Sequence, residues 1–261
     1  MKETVDFFER PGAAQLPIVT GPQWTGVRYF CTTRMGGAGS EPYDSLNLGL
    51  RAGDRPEVVA ENRRRLRAVL PADPLWLRQV HGNRVIDADG PVEEEPAADA
   101  SVTAALNRPL AIMVADCLPV LIVETRGRAV GAAHAGWRGL AGGVLENTLN
   151  ALRAKCPDAA GWHAWIGPGI GPGAFEVGQD VFDAFAGDGP GTADRFSPVA
   201  GRPGKWLADL PGLAAARLRR AGVDTVHCSG HCTVSDPGRF FSYRRDGQTG
   251  RMALLAWLCR D

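Results

Sequence analysis

Between residues 110 and 134 the chain carries three apolar runs in close succession, 110–115, 118–124 and 129–134. Runs of this length, rich in Val, Ile, Leu and Ala and separated by turn residues, read as strands buried on both faces. Such strands need apolar cover above and below. With 261 residues, of which 44% are hydrophobic and 22% charged, the chain has material for that cover and is too apolar to be disordered.

The rest of the sequence alternates less regularly. Residues 27–33, 75–81, 162–166, 225–228 and 252–258 read as further strands. Asp54-Arg-Pro-Glu57 reads as a helix start, with Asp54 as N-cap and a proline in the first turn. Val58, Val59, Asn62, Leu66, Val69 and Leu70 then follow at helical spacing, and Arg63, Arg64, Arg65 and Arg67 fall on the solvated side. Residues 140–154, 180–186 and 210–221 read as helices, and 91–98, with Glu93, Glu94 and Glu95, as an exposed loop. Hairpins outnumber strict strand–helix–strand units, which predicts an α+β fold with mixed sheets. No repeat or long linker divides the chain, so residues 1–261 are expected to form a single domain.

Charge narrows the function classes. Lys plus Arg is 29 and Asp plus Glu is 29, a balance that argues against nucleic acid as the main partner. No apolar run reaches the 18 or so residues of a membrane-spanning helix, and the start, MKETVDFFERPG, lacks the apolar core of an export signal. A cytoplasmic protein without membrane partners is expected. Its six cysteines (Cys31, Cys117, Cys156, Cys228, Cys232 and Cys259) are too sparse for a disulfide scaffold and read as core residues, ligands or nucleophiles.

Three segments set reactive side chains among glycines: Gln79-Val-His81-Gly82, Ala115-Asp-Cys117-Leu-Pro119 and His134-Ala-Gly-Trp-Arg-Gly139. Thr125-Arg-Gly-Arg128 reads as the turn of a hairpin between the second and third apolar runs. Counting outward from it puts Cys117 and His134 at one end, within about two residues of facing, where cross-strand neighbours lie about 5 Å apart. His81, closing another strand, can reach the same place. One thiolate and two imidazoles suit Zn²⁺ and leave a fourth position open. The residues alone also allow a Cys–His nucleophile pair, or plain packing.

In order along the chain stand Thr33-Arg34, Asn47-Leu-Gly49, Gln79-Val-His-Gly82, Ala115-Asp-Cys-Leu-Pro119, His134-Ala-Gly-Trp-Arg-Gly139, Ile166-Gly-Pro, Phe175-Glu-Val-Gly178, Cys232-Thr and Phe240-Phe-Ser-Tyr-Arg-Arg245. Together they resemble the motifs of the laccase-domain family, the polyphenol oxidase-like or purine nucleoside phosphorylase-type proteins. The resemblance runs from about residue 25 to the C-terminus. It implies a layered α/β/β/α fold and one zinc held by the positions matching His81, Cys117 and His134. It also implies phosphorolysis of adenosine, inosine, guanosine and methylthioadenosine, and deamination of adenosine. Gly173-Ala174 stands where some members carry cysteines.

On this reading His81, Cys117, His134 and Asp116 are the candidate catalytic residues, Asp116 as the acid for departing ammonia. Arg34 is the first choice for phosphate and Arg244 the second, with Asn47 and Phe241 as further substrate contacts. The partners are purine nucleosides and phosphate, and a monomer is expected. Copper is the less favoured metal: five histidines cannot furnish the His-rich ligand sets of a four-copper oxidase, although Cu²⁺ outbinds Zn²⁺ at a His–Cys–His site. The competing readings are a copper-dependent polyphenol oxidase, a metal-free cysteine hydrolase using Cys117, an amide hydrolase on cell-wall precursors, and a metal-binding module without activity.

Other signals are read blandly. Gly169-Ile-Gly-Pro-Gly-Ala174 matches a dinucleotide-binding pattern as text, but Pro168 and Pro172 flank it and no parallel unit follows. His227-Cys-Ser-Gly-His-Cys232 is too short to converge four ligands and reads as a strand end and loop. Gly36-Gly-Ala-Gly39 could wrap an anion with backbone amides beside Arg34. Phe240 to Arg245 is either a core edge or a purine-stacking wall beside a phosphate grip.

Overall fold

In the computed structural model, which describes residues 6–8 and 16–260, the strands form two large sheets and one small one. The first sheet runs β1 (Asp6–Phe8), β2 (Leu16–Val19), β3 (Val27–Thr32), β14 (Met252–Leu258) and β6 (Leu110–Val114), antiparallel throughout. The second runs β13 (Thr225–Cys228), β9 (Trp162–Ile166), β7 (Leu118–Glu124), β8 (Val130–Ala135), β5 (Ala100–Thr103) and β4 (Val85–Asp87). Its two end pairs are parallel and its inner pairs antiparallel, the mixed arrangement expected. β10 (Glu176–Gly178), β12 (Lys205–Ala208) and β11 (Phe196–Pro198) make the small antiparallel sheet.

The continuous apolarity of the central strands follows from their position. Leu121 and Val123 of β7 pack toward Ile112 and Leu254 between the two large sheets. Val120 and Ile122, on the opposite face, pack against Leu149 and Leu152 of α3 (Val144–Lys155) and the cluster that includes Leu213 and Leu218 of α5 (Leu210–Arg220). On the far side of the first sheet, Phe30, Leu255 and Trp257 share a core with Leu66 of α1 (Pro56–Arg67) and the following Val69 and Leu70. The layers are therefore α/β/β/α. Each fully buried Leu, Val or Ile here contributes roughly 1.5–3 kcal/mol through apolar burial, enough to hold polar loops in place at the sheet ends.

Several local expectations are corrected. Residues 75–81 form no strand; their ladder pairing is confined to isolated bridges, Leu75 to Leu110 and Arg78 to Ala97. The reason lies in Gln79, whose side chain takes up the hydrogen bonds of the Met113 backbone that a strand partner would otherwise use. Residues 140–154 are not one helix: α2 (Trp137–Ala141) ends before Gly142-Gly143, and Gly143 at φ +85° adopts a left-handed conformation that a continuous helix does not contain. Arg55, not Asp54, is the N-cap of α1 and supplies no side-chain cap; Asp54 accepts instead from Asn47 Nδ2 and Arg55 N. Glu95 is drawn in from the 91–98 loop by Arg51 and Arg63. The remaining helices are α4 (Gln179–Phe185) and α6 (Tyr243–Asp246). No helix among the described residues is long and apolar enough to cross a membrane. Most of the stretch read for an export signal lies outside the described residues.

Candidate metal centre

The site forms where the chain changes sheets. β6 ends at Val114 in the first sheet and β7 begins at Leu118 in the second, so Ala115-Asp116-Cys117 must cross between them. Asp116 turns the chain at φ +92°, a left-handed conformation that costs a non-glycine residue about 1–3 kcal/mol. Two contacts hold it there: Oδ1 accepts from Thr233 Oγ1 at 2.6 Å and Oδ2 from the Arg244 amide at 2.6 Å. The crossing delivers Cys117 beside the end of β8. There Leu118 pairs with Ala135 and Pro119 with His134, which confirms the spacing inferred from the hairpin.

His81 arrives on a loop rather than a strand. Gln79 Nε2 donates to the Met113 carbonyl at 2.8 Å, and its Oε1 accepts from the Met113 amide at 2.7 Å, anchoring the loop to β6. His81 itself sits at φ +59°. The amides of Val80, His81 and Gly82 all donate to the carboxylate of Asp99, at 3.1, 2.9 and 2.7 Å.

The outcome is a tight donor set. One ligand atom from each of His81, Cys117 and His134 lies within 4.8 Å of the others. The two imidazole rings meet edge to face with centroids 4.9 Å apart. Gly136 makes the closeness possible: a Cβ there would lie 2.8 Å from Cys117 Sγ and 3.2 Å from His81 Cδ2. Burial alone would raise the Cys117 thiol, but the facing His134 and His81 rings bring it down to about 6. Burial would likewise lower His134, yet the Cys117 sulfur and the Asp99 carboxylate lift it to about 9. Burial opposes ionisation of Asp99 too, and is outweighed by His134 and the Gly82 and Val80 amides. The site thus favours a thiolate, the form that binds metals.

These residues fit a metal ion. A thiolate and two imidazoles are a donor set for Zn²⁺, converging at one point and open on the cleft side. The other histidines lie elsewhere: His163 and His227 pack on Trp24, and His231 on Phe240. The described residues bring together one such donor group, whereas a four-copper array needs several His-rich sets. His227 and the cysteines near it join no metal-ligand group; Cys232 Sγ accepts from the Gly171 amide instead.

A cleft of about 550 Å³ opens over the donor set. Asp116, Cys117, His81, His134 and Arg244 all line it, together with Phe175, Tyr243, Arg51, Arg78 and Arg251. Three expected substrate residues do not reach it. Arg34 donates to the Asp44 carbonyl, the Asp44 carboxylate and the Pro237 carbonyl, and its guanidinium lies 4.7 Å from the centre of the Phe241 ring. Phe241 is wholly buried, and so is Asn47, whose Oδ1 accepts from the amides of Gly49 and Arg251. Asn47 thereby supports two residues of the cleft lining, Gly49 and Arg251. The amides of Gly37, Ala38 and Gly39 are taken by Ser45 and Asn62, so that loop offers no anion cradle.

Motif reading missed Asp99, Gln79, Gly136, Arg78 and Arg251. Only Gln79 and Gly136 carried a signal, standing inside the segments around His81 and His134. Arg78 has no side-chain hydrogen bond or ion pair to any described residue, while Arg251 donates to the Thr249 and Gly250 carbonyls.

Similarity to known proteins extends over nearly the whole chain. Residues 28–259 match the family model described as multi-copper polyphenol oxidoreductase laccase. A Pseudomonas aeruginosa protein named purine nucleoside phosphorylase is 48% identical over 240 residues, covering 91% of this chain and 97% of the relative. The Escherichia coli protein named purine nucleoside phosphorylase YfiH is 45% identical, covering 94% and 99%. Among solved structures, a Neisseria meningitidis protein aligns with a TM-score of 0.86 at 47% identity over 94% of this chain and 99% of its own. A Bacillus licheniformis hypothetical protein YfiH gives 0.85 at 28% identity over 97% and 98%. With fold, motif order and family model in accord over nearly the whole length, the chain belongs to the laccase-domain family of YfiH-type proteins.

Proposed function

We propose that this protein is a zinc-dependent purine nucleoside phosphorylase that also deaminates adenosine. The observation that carries the reading is the convergence of His81, Cys117 and His134 at the floor of a cleft walled by guanidinium groups. The names of the P. aeruginosa and E. coli relatives support the phosphorylase part of this reading. When held by those three residues, zinc supplies Lewis acidity toward water or a substrate heteroatom.

The chain's own residues do the rest. In phosphorolysis a phosphate oxygen bonds to C1′ of the ribose as the C1′–N9 bond breaks, and the purine leaves with the electron pair and takes up a proton. Arg78, Arg244 and Arg251 are the groups to seat that phosphate, because each brings a cationic fork to the cleft wall. Phe175 and Tyr243 offer ring faces for the purine. In deamination water adds at C6 and ammonia departs. Asp116, on the cleft wall, also serves as a positioning group, since its oxygens accept from the Thr233 hydroxyl and the Arg244 amide. Six free thiols support a reducing, cytoplasmic setting for the enzyme.

One arrangement favours a second reading. Asp99, His134 and Cys117 stand in the order acid, imidazole, thiol, which is also the layout of a metal-free cysteine hydrolase. A single experiment separates the two: adenosine turnover with and without phosphate, before and after chelation. The phosphorylase reading expects adenine and ribose 1-phosphate only with phosphate, slow inosine without it, and loss of both on chelation. Phosphate-independent, chelator-resistant hydrolysis contradicts it.

A further inference from the structure

We propose that Asp99 is the positioning residue of the metal centre, fixing the tautomer of His134 and the loop of His81 together. The proposal rests on the metal reading above and concerns this chain's residues toward the ion.

Asp99 is fully buried, immediately before β5. Its two oxygens face four nitrogens. Oδ1 accepts from the His81 amide at 2.9 Å and lies 2.8 Å from His134 Nδ1; Oδ2 accepts from the amides of Gly82 and Val80. The main chain repeats the link, since the His134 amide donates to the Asp99 carbonyl at 2.7 Å. An ionised carboxylate only accepts, so the nitrogen facing it carries the hydrogen. Nδ1 of His134 is therefore fixed as a donor, and Nε2 is the nitrogen that would offer its lone pair to an ion. The three loop amides meanwhile hold His81 in its left-handed backbone conformation. One side chain thus orients two of the three ligands, approaching from two separate segments.

Replacing the acid by its amide breaks this arrangement without changing its shape. In Asp99→Asn one oxygen becomes an NH₂ group. If it faces Val80 and Gly82, donors meet donors and the loop is released. If it faces His134, Nδ1 must accept, and the hydrogen moves to Nε2, where it blocks ligation. Loss of such a partner typically costs 10- to 100-fold in metal affinity.

The test is competitive titration with Zn²⁺ against a chromophoric chelator, on wild type, Asp99→Asn and Leu149→Ala. Leu149 is a fully buried core residue of α3, so its variant reports general destabilisation. The expected result is a zinc affinity lowered roughly 10- to 100-fold in Asp99→Asn and unchanged in Leu149→Ala. Histidine ¹⁵N spectra of the zinc-loaded wild type should show the His134 hydrogen on Nδ1, a readout that holds even if Asp99→Asn does not fold. A folded Asp99→Asn with wild-type affinity, or a His134 hydrogen on Nε2, overturns the role of Asp99 alone. Wild-type protein that takes up no zinc overturns the metal reading itself.

Discussion

Gly136→Ala introduces one methyl group at the point where the three ligand side chains crowd together. The backbone there is at φ −67° and ψ 161°, which alanine adopts freely, so the substitution acts through space and not through conformation. The new Cβ would stand 2.8 Å from Cys117 Sγ and 3.2 Å from His81 Cδ2. Comfortable heavy-atom contacts lie near 3.5–4.0 Å, so Sγ must retreat by at least about 0.7 Å and the His81 ring by at least about 0.3 Å. Zinc sites tolerate deviations of about 0.2 Å in ligand distance. Affinity for Zn²⁺ should therefore fall at least about tenfold, the lower end of what weaker disturbances outside the ligand set produce. Overpacking adds roughly 1–3 kcal/mol of destabilisation, a fall in Tm of roughly 2–12 °C for a chain of this size. The assay is Zn²⁺ titration at a temperature where the variant is fully folded. Gly90→Ala, whose Cβ meets nothing within 4 Å, is the control. A Gly136→Ala protein with wild-type zinc affinity would refute the claim that these side chains close around one ion.

Three further outcomes are expected. Arg78→Ala removes a cleft guanidinium that has no partner among the described residues; loss of a charge-assisted contact of about 1.5–3 kcal/mol raises the phosphate KM roughly 10- to 100-fold, with little change in deamination. Arg34→Ala, by contrast, loses its bonds to Asp44 and Pro237, neither of which lines the cleft, so thermal unfolding should shift by roughly 1–3 kcal/mol while the phosphate KM of folded enzyme stays put; a raised KM with an unchanged Tm would return Arg34 to the phosphate site. Thr233→Val deletes the hydroxyl that holds Asp116 and, by leaving a buried carboxylate oxygen short of a donor, should cost about 1–3 kcal/mol of stability; an unchanged Tm would show that the bend at Asp116 needs no such support.

What could be read from residues alone follows from range. The Cys117–His134 pairing was legible because it lies within one hairpin, where strand register converts sequence distance into spatial distance. That the central strands need apolar cover on both faces was legible in their continuous apolar runs, whereas the α/β/β/α layering was implied by the family resemblance alone. Asp99 was not, because its partners are backbone amides and a ring nitrogen up to 35 residues away, and an isolated acid before a short strand carries no pattern. Arg34, Asn47 and Phe241 sit in matching motifs yet do not line the cleft, since a motif marks packing and support as well as contacts to a ligand. Residues 75–81 have strand-like composition, but the Gln79 side chain took over the backbone pairing. The strands of the small sheet span only three or four residues each, too short for periodicity to register.

The central claim is that Cys117 is a metal ligand, and thiol labelling tests it most directly. Native protein is treated with an alkylating reagent before and after chelation, and each cysteine is followed by peptide mass spectrometry. Exposed Cys228 should label in both states, and buried Cys31, its thiol pushed up to about 12 by burial, in neither. A thiolate committed to an ion reacts slowly, so Cys117 should stay unmodified in zinc-loaded protein, label rapidly once the metal is removed, and be protected again when Zn²⁺ is restored. Rapid labelling of Cys117 in zinc-loaded protein, unaffected by chelator, would contradict the account and assign the thiol to nucleophilic chemistry.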